Sequence, residues 1–92
     1  MKFLRSFNQA LVKAVDYYKA IDPKLANRFV DAVDAAVKSV IEFPRIGRQI
    51  KNGREYLLKG FPYSFCYQED FEGNLAASTL FHYKKSGERI SQ

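Results

Sequence analysis

Two residues in this sequence carry chemistry beyond packing. His82 is the single histidine, and its ordinary pKa lets it take up and return a proton near neutral pH. At a strand end it could act as a general base for a ribose hydroxyl, or be a hydrogen-bonded structural residue. Arg54 follows Asn52-Gly53 and opens a stretch of strand character. Held at a sheet edge, its planar guanidinium could grip a phosphate or carboxylate with two parallel hydrogen bonds. Its structural alternative is a pairing with Glu55, with Glu69 or with a partner protein. A metal centre has no support, because no second His and no Cys pair exist to complete a coordination shell. Cys66 stands alone, which excludes a disulfide within the chain, points to a reducing compartment and reads as a strand filler. Phe61-Pro62-Tyr63 and Tyr67 have the look of a base-stacking platform, but Pro62 simply starts a strand and the rings read better as core. Tyr17-Tyr18 reads as helix packing, since only one of the pair can face inward.

Charge narrows the kind of partner. The net charge is +5 over 92 residues, but it is not spread evenly. Residues 1–44 hold seven basic and five acidic side chains, whereas residues 45–59 hold Arg45, Arg48, Lys51, Arg54 and Lys59 against Glu55 alone. Residues 60–81 carry only Glu69, Asp70 and Glu72, and the tail returns Lys84, Lys85 and Arg89 against Glu88. The basic set Arg45, Arg48, Lys51, Arg54, Lys59, Lys84 and Lys85 therefore suits an acidic partner, either nucleic acid or an acidic protein segment. A chain this short buries one core and forms one domain over 1–92. Its core has little volume to give to a large cofactor, and none is expected. Polar residues interrupt the N-terminal segment before it can make a signal peptide, and no apolar run approaches a membrane span. The expected location is the cytoplasm.

The elements that must position these residues follow from periodicity. A short strand opens the chain near residues 2–5. Ser6 with Gln9 fits a capping box, and Phe7, Leu11, Val15, Tyr18 and Ile21 then recur on one helical face. Asp22-Pro23 ends this helix and starts another, with Asp22 as cap and Pro23 in the first turn. Leu25, Phe29, Val33, Ala36, Val40 and Phe43 mark its inner face, and Pro44 stops it. So short a joint makes an antiparallel helical hairpin. Residues 45–53 read as a basic linker bracketed by Ile46-Gly47 and Asn52-Gly53. Strands are expected at 54–59, from Tyr63 with alternating Phe65 and Tyr67, and at 75–83, with a hairpin loop at 70–74. Residues 86–92 are polar. The order is β-α-α-β-β-β: an α+β fold in which the helical hairpin packs on one face of a small antiparallel sheet.

This order, together with particular residues, resembles the RelE/ParE toxin superfamily of bacterial type II toxin–antitoxin modules, and most of all its ParE-type plasmid-stabilisation toxins. The residues are Ala-Val-Asp-Tyr-Tyr at 14–18, Arg28-Phe29, Phe43-Pro44-Arg45-Ile46-Gly47, Gly53-Arg54, Gly60-Phe61-Pro62-Tyr63, Tyr67 and His82. The resemblance implies a growth-inhibiting toxin neutralised by a cognate antitoxin that wraps over it, as a homodimer or a heterotetramer with that antitoxin. ParE-like members interfere with DNA gyrase; RelE-like members cleave mRNA in the ribosomal A site. Residues 86–92 lack the Tyr usual in the ribonuclease branch, and His82-Tyr83-Lys84-Lys85 stands where His-x-Arg-Arg is frequent. Gyrase inhibition by binding is accordingly the expected function. Two alternatives remain: a ribosome-dependent, metal-free endoribonuclease, or an inactive relative that only binds antitoxin. The ribonuclease would use His82 as base, with Arg54 and Lys84 supplying positive charge and a proton for the leaving oxygen.

Overall fold

The computed structural model describes residues 1–83 of the chain; Lys84 and Lys85 lie outside the described residues. The chain begins with a two-residue strand β1 (Lys2–Phe3) and passes into helix α1 (Arg5–Ile21). The start of α1 differs from the capping box. Leu4 is the N-cap and offers no side-chain cap. Its amide donates to the Ala77 carbonyl, which ties the chain to the far end of the sheet before the helix begins. Ser6 thus lies inside the first turn, where its hydroxyl donates to the Ser78 carbonyl. The buried face of α1 is Phe7, Ala14 and Tyr18, with Leu11 and Val15 packed at its margin; Ile21 is exposed.

Asp22 serves both helices. Its amide donates to the Tyr18 carbonyl at the end of α1, and its carboxylate accepts from the Lys24 amide at 3.0 Å to cap α2 (Pro23–Glu42). Pro23 loses nothing at the first position, where its amide would lack a partner anyway. Ala26, Phe29, Val33, Ala36, Val37 and Val40 are buried along α2. Phe43, expected inside, lies beyond the helix as its C-cap and is exposed, because a residue before Pro44 is driven out of the helical region.

Four further strands follow: β2 (Arg48–Ile50), β3 (Gly53–Leu57), β4 (Tyr63–Glu69) and β5 (Leu75–His82). The sheet order is β1-β5-β4-β3-β2, with antiparallel neighbours except β1, which runs parallel to β5. The sheet is therefore mixed and five-stranded. The segment expected as a linker contributes β2, whose register is Arg48 opposite Glu55 and Ile50 opposite Gly53. A bulge at Ser78 puts Cys66 opposite Thr79 but Tyr67 opposite Ala77. The acidic loop at 70–74 joins β4 to β5 as expected.

Alternation along β4 assigns the faces. Tyr63, Phe65 and Tyr67 turn toward the helices, where Phe65 meets Phe7 edge-on at 6.0 Å between ring centroids. Tyr18, Phe29, Phe61 and Tyr63 form one aromatic cluster, in which Tyr18 and Phe29 meet each other and both of the other rings in tilted or edge-on geometry. Those rings are core, as the sequence suggested. Ser64, Cys66 and their cross-strand neighbours Leu57 and Glu55 occupy the opposite face.

Candidate functional site

The basic segment folds into the turn after α2, then β2 and β3, which puts its charges on the β2–β3 side of the sheet. The backbone of that turn is held from below. Tyr67 reaches out of the middle of β4, donates its hydroxyl to the Pro44 carbonyl at 2.7 Å, and accepts from the Gly47 amide at 3.0 Å. Burial pushes the Tyr67 hydroxyl pKa up, opposed by the Gly47 amide bond and the Arg54 guanidinium nearby. Gly47 is required here by close approach: a Cβ on it would stand 2.7 Å from the Tyr67 hydroxyl oxygen.

Arg54 lies opposite Tyr67 in the register and turns to the same side. It pairs with neither Glu55 nor Glu69 in the way anticipated. Its Nη1 donates to the Gly47 carbonyl at 2.9 Å and, at 3.4 Å, to the Arg45 carbonyl. The guanidinium thus clamps the turn. Glu55 instead takes Arg48: Nη2 of Arg48 meets Oε1 of Glu55 at 2.6 Å, while the Ser64 hydroxyl donates to Oε2 at 2.7 Å. The Glu55 side chain is 2% exposed and that of Arg48 62%, so a buried carboxylate anchors an outward cation. Arg45, Lys51 and Lys59 are exposed around this frame.

His82 belongs to a different place. It ends β5 opposite Tyr63 and packs its ring against that tyrosine, 5.0 Å between centroids. Arg54 and His82 flank β4 on opposite sides and four residues apart along it, which separates their Cα atoms by roughly 16 Å. The Arg54 side chain is thus engaged with the turn and the His82 ring with Tyr63, and Lys84 is outside the described residues. Among the described residues no cluster of His, Cys, Asp and Glu could hold a metal ion, and no helix is long and apolar enough to cross a membrane.

Sequence reasoning missed Glu55, Ser64, Gly47 and the Tyr67 hydroxyl. Ser64 between two aromatic residues of a strand, and a lone Glu among five cations, were the available signals. Between α2 and β3 lies a cavity of about 160 Å³ lined by Ala32, Ala35, Ala36, Ser39, Tyr56, Leu57 and Lys59. Small side chains on the helix leave it open.

Residues 1–82 match the family model described as ParE toxin of type II toxin–antitoxin system, parDE. No curated protein matches the chain. The match runs from β1 to the last residue of β5 and so takes in the whole helical hairpin and every strand of the sheet. Fold and family agree, and on both grounds the chain belongs to the ParE toxin family, the toxin half of a type II toxin–antitoxin pair.

Proposed function

We propose that this toxin arrests growth by binding and inhibiting a replication enzyme, DNA gyrase, and that a cognate antitoxin neutralises it by covering the groove between α2 and β3. The observation that supports a binder over a nuclease is the use made of Arg54. Its guanidinium is engaged with the backbone carbonyls of residues 45 and 47 rather than turned toward His82. Metal-free RNA cleavage needs a base and a cation around one phosphate, whereas here Arg54 is engaged with the turn and the His82 ring packs on Tyr63. Inhibition by binding needs no proton transfer. It needs a rigid surface with charge complementary to its target, and the clamped edge offers a hydrogen-bonded frame and positive charge for an acidic surface. The groove has the apolar floor and the nearby Lys59 that an acidic, partly apolar antitoxin segment would cover.

The test is expression of wild type and His82→Ala from a tight promoter, with mRNA ends mapped and gyrase supercoiling assayed in parallel. Growth arrest with intact messages and inhibited supercoiling, unchanged in His82→Ala, is the expected result. Ribosome-phased cuts that vanish in His82→Ala would overturn the reading in favour of the endoribonuclease.

A further inference from the structure

Phe43, Pro44, Arg45 and Ile46 form a turn closed by the Ile46 amide donating to the Phe43 carbonyl at 2.9 Å. Such closure keeps the first and fourth Cα atoms within about 7 Å of each other. Two large apolar residues therefore leave the backbone close to each other, with Arg45 between them in the chain. Neither is used by the core: Phe43 is 58% and Ile46 45% exposed. A connection that only has to reverse the chain needs no such residues.

The same turn is held by an unusual amount of the sheet. Tyr67, itself 1% exposed, and Arg54 together place hydrogen bonds on the backbone of Pro44, Arg45 and Gly47. A segment fixed in this way has already lost the freedom that association would otherwise take away. An aromatic ring and arginines on a rigid support are also the residue types that dominate binding energy at interfaces. Near the turn Arg45 and Lys51 are exposed, and the Arg48 side chain is 62% exposed although it is paired with buried Glu55. Of the acids, Glu42 precedes the turn in the chain and Glu69 lines the same depression as Pro44, Arg54 and Lys51.

We propose that the Phe43–Ile46 turn is a preformed docking surface for an acidic protein segment bearing apolar side chains, with Tyr67 and Arg54 as its positioning residues. A protein fits better than a nucleic acid. Ile46 offers nothing to a base or a phosphate, whereas a leucine or phenylalanine of a partner would bury it alongside Phe43 while carboxylates meet Arg45 and Arg48. The inference rests on the reading that the toxin works by protein binding, but it does not depend on gyrase being the target.

The experiment uses the full chain as bait for random peptides displayed on phage. Enriched peptides should combine Asp or Glu with Leu, Phe or Trp. Their affinity should fall at least about tenfold on Phe43→Ser combined with Ile46→Ser, and on Arg45→Glu. These positions are exposed, so melting temperatures of the variants should match wild type. Tyr67→Phe leaves every surface residue in place but removes one of the two clamps on the turn. It should accelerate hydrogen exchange at the Gly47 amide and weaken the same peptides several-fold. Peptides that bind the Phe43→Ser, Ile46→Ser variant as tightly as wild type would overturn the proposal, as would failure to enrich any peptide. So would a fluorescent single-stranded RNA oligonucleotide that binds at this turn, detected by its loss in the same variants. Peptide binding through the turn with gyrase supercoiling unaffected would remove gyrase as the target and leave the docking surface standing.

Discussion

A methyl group on Gly47 would stand 2.7 Å from the Tyr67 hydroxyl oxygen, 2.9 Å from its Cε1 and 3.0 Å from the Glu55 carbonyl oxygen. None of these can give way cheaply, because the ring is buried and its hydroxyl is bound to the Pro44 carbonyl. Gly47→Ala should cost about 1–3 kcal/mol in urea unfolding. The cost should be smaller in a Tyr67→Phe background, where the nearest atom is gone, and the double-mutant cycle measures that coupling. A second pair of substitutions addresses α2. Val33 is buried and Asp34, one residue on, makes only an exposed pair with Lys38 at 3.1 Å. Val33→Asp should unfold the domain by burying an unpaired carboxylate, whereas Asp34→Ala should change stability by less than about 0.5 kcal/mol in circular dichroism melts. Which side of α2 faces inward was legible in the sequence, since a helix repeats its signal over many residues. The roles of Arg54 and Glu55 were not. Adjacent residues on a strand point to opposite faces, so Arg54 could not reach Glu55, and only the sheet register reveals Arg48 as its partner.

Among the elements, the loop between β4 and β5 makes a pH prediction. The Asp70 carboxylate accepts from the Asn74 and Glu72 amides, both at 2.9 Å, and from the Asn74 side chain. These bonds favour the ionised form, and the Asn74 amide contributes most to holding the Asp70 pKa below its ordinary value of 3.8. A carboxyl whose pKa is lower folded than unfolded stabilises the fold above the unfolded value, and that contribution is lost as pH falls through the folded one. Asp70→Asn should therefore show a smaller drop in melting temperature than wild type between near-neutral and strongly acidic buffer. Helices and the long strands were legible because their periods persist; β2 was not. It is three residues long, it lies at an edge, and two of its residues are exposed, so no alternation had room to appear. The parallel pairing of β1 was equally hidden. It depends on Ala76 and Ala77, more than seventy residues away in the chain, and no local pattern encodes a contact of that separation.

For the whole molecule, binding and ionisation are both readable as stability. Antitoxin at a hundredfold excess over its Kd should raise unfolding free energy by about 2.7 kcal/mol, and an unchanged melting temperature at saturation would argue against a complex. Burial pushes the hydroxyls of Tyr18, Tyr63 and Tyr67 above the ordinary tyrosine value. Their neutral forms thus stabilise the fold at all pH below the unfolded value of 10.0, and this is lost as pH rises through the folded values. In an alkaline titration, phenolate absorbance from these three should appear together with loss of the far-ultraviolet helix signal. The meeting of β1 with β5 bears on something else, the order of events during synthesis. The helical hairpin is made of local contacts and can form as soon as its residues are available. The strand that precedes it has no strand neighbour until Ala76 and Ala77 exist, so β1 is made before the hairpin and placed after it. A ribosome that stalls before β5 has already made the helical hairpin and the β2-β3-β4 meander that carries the basic edge, but it leaves β1 without its only strand partner.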